Sequence, residues 1–155
     1  MTTELYGPRL PVHDYEALRH LMIEHQLRDV RSAGVLAAMR EVPRHLFAPE
    51  SSRRSAYDDV SIPIGYGQTL ASPRVVAWML QTADVRCSDR VLEIGVASGY
   101  ETALLSLLAK EVYALEVIPG LERIARQNLA HADYPAVHFV HGEAGLGWPD
   151  ASPYD

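Results

Sequence analysis

An acidic side chain followed by small residues at alternate positions occurs in the segment Val91–Tyr100, which contains Glu93, Gly95, Ala97 and Gly99 in that order. The β-branched and leucine residues at its start predict a strand, the small residues a tight turn, and the apolar-periodic residues that follow a helix. Small residues allow backbone N–H groups to approach a ligand closely, and a helix N-terminus adds partial positive charge. We therefore expect a site for a nucleotide-type cofactor at this turn.

Three interpretations of the turn are open. The small residues can serve packing alone. A nicotinamide or flavin site requires G-x-G-x-x-G/A, and at that spacing the chain has Gly95, Ala97 and a bulky Tyr100, which fits the helix–strand contact poorly. Glu93, Gly95, Ala97 and Gly99 instead fit the acid-x-G-x-[GA]-x-G pattern of methyltransferases that use S-adenosylmethionine.

Two more acidic residues follow predicted strands. Glu116 ends the next strand, about 20 residues after Gly95, where a carboxylate can accept hydrogen bonds from both ribose hydroxyls. Glu143 lies in the turn after the third strand, where it can accept a hydrogen bond from an adenine amino group. With their neighbours, these positions extend the candidate cofactor site to Glu116, Val117, Gly142, Glu143 and Ala144.

The elements that must position these residues follow from hydrophobic periodicity. Helices are predicted over Tyr15–Leu27, with Asp14 as N-cap, and over Ser32–Val42, followed by an irregular segment from Arg44 to Leu70. Ser72-Pro73 is typical of a helix start, and the helix it begins should place Val75, Val76, Met79 and Leu80 on one face. Alternation then predicts strand Arg90–Ile94, helix Tyr100–Leu108, strand Glu111–Val117, helix Leu121–His131 and strand Ala136–Val140.

This alternation predicts an α/β fold with a doubly wound, Rossmann-like parallel sheet and an N-terminal helical extension. We expect residues 1–71 to form a helical cap with a substrate and cofactor loop, and residues 72–155 an incomplete sheet domain, together one compact domain. If the strand order is 3-2-1, strand Arg90–Ile94 lies at an open edge of the sheet. Because another strand could begin after Asp155, the chain is expected to be a fragment truncated after its third parallel strand.

Composition restricts the partners. A net charge of −6 over 155 residues argues against non-specific binding to nucleic acid, which requires a basic surface. The sequence has no apolar run of about 18 residues, so no membrane span is expected, and it lacks an N-terminal signal pattern, so we expect a cytoplasmic monomer. Cys87 has no cysteine to pair with, and the seven histidines show no zinc-ligand spacing, so neither an internal disulfide nor a metal site is expected.

From about Met22 to Asp155 the chain resembles the protein-L-isoaspartate (D-aspartate) O-methyltransferase family. Four blocks carry the resemblance: Val42–Pro49 is similar to V-P-R-H-x-F-x-P, Ala56-Tyr57 with Ile62–Thr69 to A-Y … L-P-I-G-x-G-Q-T, Val91–Tyr100 to V-L-E-I-G-T-G-S-G-Y, and Gly142–Asp155 to G-D-G-x-x-G-x-P-x-x-A-P-Y-D. The combination of the first two blocks is rare outside this family.

The resemblance implies a seven-stranded methyltransferase sheet and a reaction that repairs damaged proteins. In that reaction a methyl group passes from S-adenosylmethionine to the α-carboxylate of an isoaspartyl residue in a peptide or protein. The ester then collapses to a succinimide that hydrolyses partly to normal aspartate. A carboxylate is already a nucleophile and a sulfonium already an electrophile, so catalysis is expected to be mainly orientation, without a general base.

The same resemblance implies which residues lie near the carboxylate that accepts the methyl group. The family has T-I-S-x-P where this chain has Thr69–Pro73, so the family's serine falls on Ala71, and Ser72 comes one position later. The candidate catalytic residues are therefore Thr69, Ala71 and Ser72, with Gln68 and Leu70 beside them as candidate cofactor-binding residues. Further departures place Val96 and Ala97 at the family's threonine and glycine, and Glu143 and Ala144 at its aspartate and glycine.

The substitution at Ala71 leaves two alternatives open. One is a related methyltransferase that acts on an ordinary aspartate of a peptide during natural-product modification. The other is an inactive cofactor-binding remnant.

Overall fold

The computed structural model describes residues 14–134 and 136–155. Part of the predicted cap, residues 1–13, lies outside the described residues. The helices are α1 (Tyr15–Leu21, continued by a π-helical turn Met22–Gln26), α2 (Ala33–Glu41), α3 (Pro73–Ala83), α4 (Tyr100–Leu108) and α5 (Pro119–His131), with 3-10 turns at Arg44–Phe47, Glu50–Ser55, Ala144–Leu146 and Pro149–Ala151. The strands are β1 (Ile62–Gly65), β2 (Gln68–Leu70), β3 (Arg90–Ile94), β4 (Glu111–Glu116) and β5 (His138–His141).

A three-stranded parallel sheet forms the centre of the α/β fold, in the order β3-β4-β5. Val91 lies opposite Val112, and Leu115 opposite Val140. The α/β fold class that sequence periodicity predicts is confirmed, and the three strands have the 3-2-1 order considered above, with β3 at one edge of the described sheet. Helix α4 connects β3 to β4 and α5 connects β4 to β5, so the carboxyl ends of these strands share one edge.

The expectation of an irregular segment from Arg44 to Leu70 is wrong in one respect, because this segment contains an antiparallel hairpin of β1 and β2. Ile62 and Ile64 are buried and the residues after each are exposed, which is the alternation typical of a strand, although a proline such as Pro63 is unusual in one. The chain reverses through Gly65, Tyr66 and Gly67, which all have positive φ angles, of 90°, 54° and 70°. Glycine adopts these angles without the steric cost that a Cβ atom imposes.

Helix α3 begins as predicted at Pro73, but its buried face differs from the predicted one. Val76 and Leu80 are buried, whereas Val75 and Met79 are 49% and 59% exposed. The predicted grouping is therefore wrong for Val75 and Met79. The physical reason is that Ala77, a small residue that the pattern did not include, completes the buried stripe.

The N-terminal helices and the sheet share one cluster of buried apolar side chains. Met39 of α2, Phe47, Leu70 of β2 and Leu104 of α4 all belong to it. Phe47 and Tyr100 rings lie 5.7 Å apart within this core. The hairpin and its flanking loops are thereby held against the end of the sheet where α4 begins.

Within residues 14–134 and 136–155, no helix combines the length and apolar character that a membrane crossing requires. The same ranges contain no group of His, Cys, Asp or Glu side chains arranged to hold a metal ion.

An aromatic cluster around His45 makes stability depend on pH. The ring of Tyr15 stacks on His45 at 4.0 Å, and His45 Nδ1 lies 2.8 Å from the Tyr57 hydroxyl. Burial, with repulsion from Arg53 and Arg19, lowers the pKa of His45 to about 4. Since the unfolded chain binds a proton near the ordinary value of about 6.5 and the folded chain does not, stability falls as pH drops from 6.5 towards 4.

His45→Gln is expected to flatten the rise of unfolding free energy between pH 4 and pH 6.5, because it removes the group whose protonation favours the unfolded chain. Urea unfolding across this range measures the slope, and His131→Gln, at an exposed position, is the matched control. A slope that is the same in wild type and His45→Gln would show that other groups govern the acid range.

Candidate functional site

The carboxyl edge of the parallel sheet brings the predicted cofactor residues together from three segments. Gly95 follows β3, Glu116 ends β4 and Gly142 follows β5. In open α/β sheets the crevice at this edge is where ligands bind. The side chain of Leu115 would lie 3.8 Å from a Cβ atom at Gly142, so the second and third segments are neighbours.

The turn after β3 has left-handed backbone at alternate residues. The φ angles are 88° at Gly95, 56° at Ala97 and 91° at Gly99. Gly95 N–H donates to the Leu115 carbonyl at 2.9 Å, and Gly99 is the N-cap of α4. The small residues therefore serve the local backbone, and Ala97 occupies a conformation that costs an L-residue about 1–2 kcal/mol.

Glu116 holds this turn to the end of β4. The residue is only 3% exposed, and its Oε2 accepts a hydrogen bond from Ala97 N–H at 2.9 Å. Its Oε1 accepts one from Ile118 N–H, also at 2.9 Å. Each carboxylate oxygen has a second lone pair, so these bonds leave acceptor capacity for a ligand.

A cavity of about 330 Å³ lies between the hairpin, α3, β3 and α4. Predicted residues from both halves of the site line it: Gln68, Thr69, Ala71, Glu93, Gly95 and Ala97. Apolar residues from α3, the loop after it and α4 complete the wall, among them Leu80, Val85 and Leu105. The cavity can enclose a ligand between the segment Gln68–Ser72 and the turn Gly95–Gly99, which we call the glycine turn.

Sequence comparison identifies the family to which such a site belongs. The family profile described as protein-L-isoaspartate(D-aspartate) O-methyltransferase matches residues 16–155. The chain belongs to this family. A protein-L-isoaspartate O-methyltransferase of Opitutus terrae is 48% identical over 139 residues, which cover 88% of this chain and 60% of the relative. One of Methanoculleus marisnigri is 46% identical over 140 residues, 88% of this chain and 63% of the relative.

Solved structures of isoaspartyl methyltransferases share the fold. One has a TM-score of 0.74 and 26% identity, over 91% of this chain and 46% of the other. A second, from Plasmodium falciparum in complex with S-adenosyl-L-homocysteine, has a TM-score of 0.69 and 19% identity, over 84% of this chain and 63% of the other. The chain spans about 60% of the length of the curated family members it matches.

The remaining candidate residues of this family member lie outside the cavity wall. Leu70 is buried in the core, and Ser72 is buried at the start of α3, where its side chain forms no capping hydrogen bond. Val117 is 45% exposed at the sheet edge. The others are Glu116 at the end of β4, Gly99 before α4, and Gly142, Glu143 and Ala144, which follow His141 of β5, the residue opposite Glu116.

Glu101 is a cavity residue that sequence reasoning missed. It lies in the first turn of α4, where an acidic residue is also favoured by the helix dipole, so its type gave no distinct signal. Burial raises the pKa of the Glu101 carboxyl. Glu101 lines the same cavity as Glu93 only because α4 packs against the sheet.

Glu93 lines the cavity with a carboxyl group whose pKa is raised. Its Oε2 is buried and has no hydrogen-bond partner among the described residues. Burial raises the pKa of Glu93 to about 8; Thr102 opposes this shift, while Glu101 and Glu116 add to it. A cationic ligand would favour the ionised carboxylate and offset the cost of its burial.

Glu93→Gln is expected to stabilise the ligand-free protein increasingly as pH rises from about 4.5 to about 8. In this window unfolded Glu93 releases its proton while folded Glu93 keeps it, so wild-type stability falls with pH. Chemical unfolding at pH 5 and pH 8 measures the difference between variant and wild type. Glu50→Gln, at an exposed position, is the control, and an equal difference at both pH values would contradict the assignment.

Proposed function

We propose that this protein transfers a methyl group from S-adenosylmethionine to the α-carboxylate of L-isoaspartyl residues in peptides and damaged proteins. The observation that carries the proposal is the shared cavity, in which the glycine turn with Glu93 faces Gln68, Thr69 and Ala71. Family membership over residues 16–155 supports the same reaction.

The residues present fit this cofactor by their chemistry. The small residues of the left-handed turn let its backbone lie close to a ligand at the sheet edge, and Glu116 keeps acceptor capacity where a ribose would lie. Glu93 supplies a buried carboxyl oxygen that has no hydrogen-bond partner within residues 14–134 and 136–155 and suits the cationic end of the cofactor. When bound, S-adenosylmethionine supplies an electrophilic methyl group on a positively charged sulfur.

The task of the protein is then orientation and exclusion of water. The acceptor carboxylate is a nucleophile at neutral pH, so no side chain has to remove a proton. Thr69 and Ala71 line the cavity, and their hydroxyl and backbone groups are the candidates to hold the carboxylate in line with the methyl group. Leu80, Val85 and Leu105 make the wall apolar, and a dry site favours a step that neutralises opposite charges.

The test is methyl transfer from radiolabelled S-adenosylmethionine to an isoaspartyl peptide, detected as volatile methanol released by base. The same peptide with a normal aspartyl residue is the control. Labelling of the isoaspartyl peptide alone supports the proposal. Cofactor binding without labelling of this peptide would reject repair activity, and equal labelling of both peptides would indicate a methyltransferase of ordinary aspartate.

A further inference from the structure

Arg44 is a buried cation outside the cavity wall that contacts several separate segments. It lies at the start of the 3-10 turn Arg44–Phe47 and is 0% exposed. Its Nε donates to the Ala56 carbonyl at 2.7 Å, and its Nη2 donates to the Ala71 carbonyl. Its Cζ lies 4.7 Å from the ring centroid of Tyr100.

These contacts offset the free-energy cost of burying the charged guanidinium group. Burial lowers the pKa of Arg44, while Tyr100 and Glu101 oppose that shift, and arginine stays charged in proteins. Among the described residues, no carboxylate lies within ion-pair distance of Arg44. Two backbone carbonyls and the face of the Tyr100 ring contact the guanidinium, while Nη1 is buried and has no hydrogen-bond partner in the part of the chain that the structure describes.

Two of the three partners of Arg44, Ala71 and Tyr100, connect it to the two sides of the candidate site. Ala71 is part of the acceptor loop, which we define as Gln68–Ser72, and its residues Gln68, Thr69 and Ala71 line the cavity. Tyr100 follows Gly99 directly and begins α4, so its position is tied to the glycine turn. The planar guanidinium of Arg44 therefore contacts both the acceptor loop and the residue that directly follows the glycine turn.

We propose that Arg44 is a positioning residue that sets the distance between the acceptor loop and the glycine turn. Its catalytic meaning rests on the proposed function, because in-line transfer requires the acceptor oxygen and the methyl group at a defined separation. A displacement of about 1 Å can lower such a rate about a hundredfold. Lysine keeps the charge but lacks the planar fork that reaches two carbonyls at once.

Hydrogen exchange of the backbone amides tests the positioning without relying on activity. In Arg44→Lys we expect about tenfold faster exchange in the acceptor loop and around Ala56, with β4 unchanged, because the two carbonyls lose their fixed donor. Met39→Ala, at another fully buried position, is the control for general destabilisation. The proposal would be overturned if the acceptor loop of Arg44→Lys exchanged at the wild-type rate, or if exchange were accelerated equally in the loop and in β4.

A second measurement separates positioning from cofactor binding. Arg44→Lys is expected to keep the Kd for S-adenosylhomocysteine within about twofold and to lower kcat for an isoaspartyl peptide at least about tenfold. An unchanged kcat would overturn the proposal. If wild type transfers no methyl group, the proposed function fails, and the exchange pattern alone decides the role of Arg44. Arg44→Met, which removes the charge as well, should accelerate loop exchange further.

Discussion

Glu116→Gln is expected to weaken binding of S-adenosylhomocysteine at least about a hundredfold and to lower the free energy of unfolding by about 2 kcal/mol. Both carboxylate oxygens accept backbone N–H groups, from Ala97 and Ile118. A glutamine has one oxygen, so its amide NH₂ would face one of these N–H donors and leave it unpaired. Hydrogen bonds to a charged group contribute about 1.5–3 kcal/mol each, which gives the expected size.

The loss of affinity follows from the same geometry. Glu116 is the proposed ribose acceptor and also holds Ala97 of the glycine turn, so one substitution disturbs two contacts of the cofactor. Calorimetric titration and urea unfolding measure the two effects separately. Glu24→Gln removes an exposed carboxylate from α1's π-helical continuation and should change neither. Binding by Glu116→Gln within about threefold of wild type would place the ribose elsewhere.

Gly99→Ala is expected to destabilise the protein by about 3 kcal/mol. Gly99 has a φ of +91°, and an added Cβ atom would lie 3.3 Å from the side chain of Leu129 and 3.4 Å from Cα of Ala125. Left-handed backbone costs an L-residue about 1–2 kcal/mol, and overpacking adds about 1–3 kcal/mol. Because α5 backbone is one of the contacted groups, the helix cannot yield by a change of rotamer alone.

Thermal unfolding measures this effect as a fall of Tm by about 6–12 °C for a chain of this size. Gly145→Ala is the matched control, since no atom of residues 14–134 and 136–155 lies within 4 Å of its added Cβ atom and its φ is outside the left-handed region. Equal Tm values for the two alanine variants would show that the turn relaxes freely. Ala97→Gly should change stability by less than about 1 kcal/mol, because relief of strain is offset by greater freedom of the unfolded chain.

Much of the fold could be predicted because its signals are local. The turn from β3 into α4 follows from small residues at alternate positions, and the N-caps at Asp14 and Ser72 mark helix starts that the structure contains. Burial within α3 could not be predicted fully, since Val75 and Val76 are equally apolar and only the packing partners separate them. The hairpin was missed because Pro63 and the glycines around Tyr66 weaken a strand pattern in the sequence.

The candidate site also contains some residues that could be predicted from the sequence and others that could not. The type and spacing of Glu93, Gly95 and Glu116 point to a nucleoside site, since those residues occupy the ends of neighbouring parallel strands whatever packs around them. Neither Glu101 nor Arg44 could be recognised as a site residue by type. Their places depend on how α4 and the turn Arg44–Phe47 dock, which is a matter of contacts between distant segments.

The sequence by itself determined the parallel sheet, the glycine turn and the family, because periodicity, turn chemistry and motif spacing are properties of short stretches of chain. Only the tertiary structure decided that Thr69 and Ala71 share a cavity with Glu93, and that Glu116 accepts the N–H of Ala97. It also decided that the pKa of Glu93 is raised, since the pKa of a carboxyl depends on how completely distant segments exclude water from it. Burial and long-range contacts arise only when separated segments pack together.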